Sequence, residues 1–204
     1  MNRGILLFLA VVAGFTGIGY GLAEIWDKNT SLEILGPDNH QVEDFTFTDQ
    51  QERIFESTDH DGKIWIVNSF FSSCPVVCPK VMRNIQNTHN LLRSDDDVVT
   101  ISFTVDPKRD TPERLLEYAN KYNANHQSWF LLTGDKKELY RHARRSFLMA
   151  ASDGTGNDED FIHSENIVIV DPDKRVRALI NGTAKGADRD VMDAVRKLRK
   201  EFKL

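Results

Sequence analysis

The sequence predicts an α/β fold, a mixed central sheet flanked by helices, preceded by one N-terminal transmembrane helix. Three observations carry this expectation. Short, nearly continuous apolar runs rich in β-branched residues alternate with amphipathic segments of helical period, the pattern of parallel strands covered on both faces. Towards the C-terminus two strand-like runs are separated by only a turn, which adds antiparallel strands. The chain also opens on an apolar run, and its 204 residues are 40% apolar and 28% charged overall, the composition of one globular domain with an appendage.

The appendage comes first. From Gly4 to Ala23 no residue is charged, and at helical rise that stretch spans roughly 30 Å, the thickness of a hydrocarbon core. Arg3 precedes it and Glu24 and Asp27 follow, so the positive-inside rule puts Met1 in the cytoplasm and the domain outside. The run exceeds the apolar stretch of an ordinary signal peptide, although Gly21-Leu22-Ala23 has the small residues of a cleavage site and Gly17 and Gly21 form a GxxxG pair. The expected organisation is a membrane anchor over residues 1–25, a polar linker over 26–41 and a folded domain over 42–204. The expected location is a bacterial inner membrane, single-pass, with the domain on the periplasmic side. A net charge of −5 has the wrong sign for a nucleic-acid binder.

Within the domain, Asp44–Asp49 alternates as a half-buried strand, and Lys63–Phe71 reads as a central strand. After two cysteines, Val81, Met82, Ile85, Thr88, His89 and Leu92 recur at helical spacing, with Pro79 in the first turn where a missing N–H costs nothing. Val98–Val105 is the second strand. Asp110 or Thr111 then caps a helix opened by Pro112, with Glu113 at its positive end. A strand at Ser128–Gly134 is followed by a helix from Asp135 to Phe147, whose Asp135 and Glu138 resemble a capping box. Asn166–Asp171 and Arg175–Gly182 form a hairpin around Pro172-Asp173-Lys174, and Val191, Ala194, Val195, Leu198 and Phe202 stripe the closing helix. Arg196, Lys197, Arg199 and Lys200 read as its solvated face. This is the outline of a thioredoxin-like fold, in which chemistry gathers beyond the carboxyl ends of the strands.

Cys74 and Cys78, the only cysteines, leave the first long strand at that position. Residues four apart share one face of a helical turn, so both sulfurs can address one atom. A helix N-terminus favours the thiolate, the form that binds metal or attacks a disulfide. A purely structural disulfide closing so short a loop is worth only roughly 2 kcal/mol. Metal binding and disulfide exchange are the two live chemistries, and metal binding needs a third donor. Of the six histidines, His89 and His142 lie on amphipathic helices as surface or boundary residues, and His40, His60 and His126 lie in solvated turns. His163 differs, because it immediately precedes a buried strand, where a thioredoxin-like loop closes over the cysteines and where this chain has no proline. Two thiolates and an imidazole are a soft set that suits Cu(I) and, with an added oxygen ligand, Cu(II); structural zinc wants a fourth ligand. Met82 and the acidic run Asp158, Glu159, Asp160 are the weaker candidates.

The segments CPVVCPKVM, TISFTVDPKRDTPERLLEYANKY, LLTGDKKEL and FIHSENIVIVDPD together resemble the Sco/SenC family, membrane-anchored thioredoxin-like copper proteins that help assemble cytochrome c oxidase. The resemblance runs from about Val42 to Phe202. It implies copper ligands at Cys74, Cys78 and His163, with Asp106 and Arg109 shaping the neighbouring loop, and a Cys74–Cys78 disulfide in the metal-free state. Two positions depart from many members: Ile162 stands where an aspartate precedes the ligand histidine, and Asn68-Ser69 replace a glycine-containing strand end. The implied function is a copper chaperone for the dinuclear centre of the oxidase's copper-bearing subunit, kept reduced by an envelope thiol reductase, with no catalytic turnover. The alternative is a thiol–disulfide oxidoreductase acting on that subunit's cysteines, or a redox sensor. A peroxide-reducing site is disfavoured, since Ser72-Ser73 rather than a threonine precede Cys74.

Overall fold

The computed structural model describes residues 31–149 and 164–204. The apolar N-terminal run, His163, Ile162 and the acidic run from Asp158 to Asp160 lie outside the described residues. Among the described residues no helix is long and apolar enough to cross a membrane.

A five-stranded mixed sheet organises the domain. Its strands are β3 (Ile64–Phe70), β4 (Val98–Thr104), β5 (Trp129–Leu132), β6 (Asn166–Val170) and β7 (Val176–Asn181), in the spatial order β5-β4-β3-β6-β7. Strands β3, β4 and β5 run parallel, while β6 is antiparallel to β3 and β7 to β6. All seven residues of β3 and of β4 are buried, because alternate side chains serve two separate cores. Ile64, Ile66 and Phe70 pack with helices α1 (Val77–Leu92), α2 (Pro112–Lys121) and α4 (Ala187–Phe202). Trp65, Val67, Ile101 and Phe103 face the other way, against Phe45, Phe47 and Phe55. Those phenylalanines belong to or flank a two-stranded antiparallel ribbon, β1 (Thr46–Thr48) and β2 (Ile54–Glu56). The sequence shows β1 but not its three-residue partner.

Local chemistry sets the element ends. Thr111 caps α2, its hydroxyl accepting from Arg114 N–H, and Pro112 opens the helix. Asp135 accepts from the N–H groups of Lys137 and Glu138 at the start of α3 (Lys136–Arg141). The single helix expected through Phe147 instead widens into a π turn over His142–Ser146. His142 is turned inward there, its ring 5.2 Å from Phe45 and 5.8 Å from Phe47, with Nδ1 paired to Ser146 Oγ at 3.1 Å. His89, expected at a boundary, is likewise buried, its Nε2 accepting from Asn125 N–H and its ring 5.0 Å from Trp129. Polar by type, both histidines nevertheless pack inward, because each finds a partner for a ring nitrogen.

The compact unit begins at Leu32, and the described part of the segment expected as a polar linker is held to the domain at particular points. Leu35 N–H donates to Val176 O and Val42 N–H to Lys174 O, both at 2.8 Å. The buried Arg177 guanidinium donates to the carbonyls of Leu32 and Glu33 while pairing with Asp171 and Glu201. On α4, Arg199 is not free in solvent but pairs with Asp95 and Asp97, each at 2.6 Å.

Candidate metal centre

The carboxyl ends of β3 and β4 lie side by side, since Phe70 is in register with Thr104 and Val105 N–H donates to Phe70 O at 2.8 Å. The cysteine segment and the loop from Asp106 to Asp110 therefore leave the same edge of the sheet. Strand β6 runs antiparallel to β3, pairing Val67 with Val168 and Trp65 with Val170, so it enters from that edge. Topology thus brings three segments distant in sequence to one place.

Helix α1 starts at Val77, inside the CPVVC motif. No side chain caps it in the ordinary way; instead Cys74 Sγ accepts from Cys78 N–H at 3.3 Å, occupying the position of a capping oxygen. Cys74 is partly exposed and Cys78 is buried, and both are free thiols. Their acidities diverge. Burial opposes ionisation of Cys74, but the Cys78 N–H, the Cys78 thiol and the N–H groups of Val76 and Val77 outweigh it and hold the Cys74 pKa below its ordinary value. Cys78 is pushed up to about 12, first by burial, then by its hydrogen bond to Cys74 and the charge of that neighbour; a hydrogen bond from the Phe71 backbone offsets this only in part.

Both cysteines open into a cavity of about 270 Å³ whose walls include Phe70, Phe71, Pro75, Val76 and Val77, together with Ser164 and Glu165. Ser164 is the residue after His163. Gly182 sets how closely this wall approaches: its N–H donates to Glu165 O at 2.7 Å, and a Cβ there would come within 2.8 Å of the same oxygen and 3.0 Å of Val81 in α1. Asn84 of α1 donates to Gly182 O at 2.8 Å, closing the link.

Among the described residues no three His, Cys, Asp or Glu side chains converge on one point. The cysteine pair supplies two sulfur donors of a soft site. Met82 is not a third: it is fully buried and its Sδ accepts from Asn68 Nδ2 at 3.7 Å. Asn68 in turn accepts from Ser102, and Ser102 from Trp129 Nε1, a polar chain buried in the larger core. The departure at Asn68 therefore has a structural partner set. The Asp106 carbonyl accepts from the N–H groups of Arg109 and Asp110, and the Arg109 side chain lies 3.6 Å from the Asp106 carboxylate. Sequence reasoning offers Asp110 only as one of two candidate helix caps and gives Ser72 no role. Asp110 is fully buried and accepts from Ser72 N–H at 3.0 Å, from Ser72 Oγ and from Thr104 Oγ1 at 2.5 Å.

Comparison with known proteins gives a consistent result. The SCO1/SenC family model matches residues 35–200. The SCO1 protein homolog of Bacillus subtilis is 30% identical over 166 residues, covering 80% of this chain and 86% of its own. A protein of Stutzerimonas stutzeri named for copper binding is 26% identical over 166 residues, covering 78% and 80%. Among solved structures, BsSco, described as a member of the Sco family of cytochrome c oxidase assembly proteins with a disulfide switch, superposes with a TM-score of 0.67 at 29% identity, over 81% of this chain and 97% of that one.

Proposed function

The chain belongs to the SCO1/SenC family, and from that premise we propose that it is a copper chaperone whose cargo is held by Cys74, Cys78 and His163 and delivered to the copper-bearing subunit of cytochrome c oxidase. The observation that carries this reading is the place of Ser164 in the cysteine cavity. His163 directly precedes Ser164 in the sequence, which makes it the histidine to test as the third donor. Two thiolates and an imidazole are the donors that a soft, low-coordinate Cu(I) prefers.

Delivery then follows from ligand exchange. A site with three donors leaves copper open to an incoming thiolate or imidazole of the recipient, and the partly exposed Cys74 is the first ligand to be displaced. The apolar walls exclude water while the handover occurs. An anchor over residues 1–25 would keep donor and recipient in one bacterial inner membrane, with the domain on the periplasmic side. Loading requires free thiols, so an envelope thiol reductase is a second partner.

One observation favours a second reading. The divergent acidities of the pair, Cys74 low and Cys78 high, suit a nucleophile and a resolving thiol, and the disulfide switch described for BsSco fits a thiol–disulfide exchange role. An anaerobic Cu(I) titration of the reduced domain against a competing chelator separates the two. The chaperone reading predicts one tightly held copper and at least a tenfold loss in His163→Ala, about 1.4 kcal/mol. Weak uptake, or equal uptake without His163, overturns it in favour of exchange.

A further inference from the structure

The geometry points to Asp110 as the positioning residue of the cysteine pair: through Ser72 it fixes the segment that carries Cys74 against the first turn of α1. The carboxylate is fully buried, lies at the end of the loop after β4, and reaches across to the loop after β3. It binds Ser72 twice, through N–H and Oγ, and Thr104 Oγ1 once. Its donors are two hydroxyls and one amide, with no cation paired to it among the described residues. Three donors converge on its two oxygens, two of them from the single residue Ser72.

What the tether holds is the useful part. Ser72 follows Phe71, whose carbonyl accepts from Cys74 N–H at 3.1 Å and whose backbone hydrogen-bonds the Cys78 thiol. Clamping Ser72 therefore steadies the neighbouring Phe71, whose backbone touches both cysteines. Arg114 of α2 adds a bond to Ser72 Oγ at 3.4 Å, so the cysteine segment is tied both to the β4 loop and to the helix that follows it. A sequence-local reason for the carboxylate is absent, because Thr111, and not Asp110, caps α2. Freed from Asp110, the segment samples more conformations, and the effective concentration of one sulfur at the other falls.

The inference concerns the thiols and not their cargo, so it is tested on metal-free protein and stands or falls apart from the copper reading. The measurement is the midpoint potential of the Cys74–Cys78 couple against glutathione. In it the dithiol gives two electrons and two protons to glutathione disulfide and closes the protein disulfide. Asp110→Ala is expected to lower the effective concentration about tenfold, which raises the potential by about 30 mV. Asp110→Asn keeps one accepting oxygen and recovers part of the shift. Ser72→Ala removes one bond and shifts the potential by less; it decides the matter if Asp110→Ala fails to fold. Asp171→Asn is the control, a buried carboxylate that orders the β6–β7 turn through Arg175 and Arg177 at the other end of the sheet. It is expected to lower the Tm and leave the potential in place. A wild-type potential in Asp110→Ala, or in Ser72→Ala where the first variant does not fold, overturns the assignment, as does an equal shift in Asp171→Asn.

Discussion

The two thiols, four residues apart, should react with an alkylating reagent at very different rates. Cys74 ionises below its ordinary pKa of 9.0, whereas Cys78 is pushed up to about 12. At about pH 7.5 the thiolate fraction of Cys74 then exceeds that of Cys78 by about a thousandfold or more. The more basic thiolate is intrinsically the better nucleophile, which returns about 20- to 30-fold to Cys78. The net preference is at least about 30-fold for Cys74, before the burial of Cys78 is counted against it. Limiting iodoacetamide on reduced, metal-free domain, followed by peptide mass mapping over time, reads the ratio directly. The Cys74 rate should also level off at a pH below that of a free cysteine, because the donors around it favour the thiolate. Equal labelling, or labelling of Cys78 first, would refute the reasoning that the N-terminal turn of α1 divides the pair into an accessible thiolate and a buried thiol.

Three further outcomes follow from the same structure. Burial, with a smaller contribution from Arg93, holds His89 at about 4 instead of 6.5; the unfolded chain therefore binds this proton first, and stability fully present above 6.5 falls as pH drops towards 4, by about 3 kcal/mol in all. Urea unfolding at the two ends of that window should show the loss in wild type and a smaller one in His89→Gln, whose amide oxygen can still accept from Asn125 N–H. Met82→Leu removes the acceptor of Asn68 while keeping the volume, so it should cost up to about 1.5 kcal/mol of stability and leave Cu(I) affinity within about twofold, where a copper ligand would lose far more. Gly182→Ala pushes on the Glu165 carbonyl and on Val81, and should cost about 1–3 kcal/mol and weaken Cu(I) uptake by displacing the wall that Ser164 and Glu165 form.

The parts of the fold that the sequence makes legible are those where burial is complete or a cap is explicit. Strands β3 and β4 read as continuous apolar runs because both faces are covered, and Thr111-Pro112 and Asp135 mark the starts of α2 and α3. What it hides is set by partners distant in the chain. Strand β2 is three residues long and exists only through its pairing with β1. The π turn after α3 depends on His142 finding Phe45 and Phe47. The attachment of the segment after Leu32 depends on partners far along the chain, with Arg177 donating to the carbonyls of Leu32 and Glu33 and Val176 O accepting from Leu35 N–H. The site divides in the same way. Cys74 and Cys78 announce themselves by type and spacing, whereas Asp110 reads only as an alternative to Thr111 as the cap of α2. Its longer-range partner Ser72 is 38 residues away, and only the parallel register of β3 and β4 reveals it.

The most direct measurement is X-ray absorption at the copper edge on the Cu(I)-loaded reduced domain, for wild type and His163→Ala. The expected result is two sulfur neighbours and one imidazole nitrogen in wild type, with the nitrogen lost in the variant and both sulfurs kept. A copper held by sulfur alone in wild type, or a nitrogen that persists without His163, would contradict the assignment of Cys74, Cys78 and His163 as the cargo site.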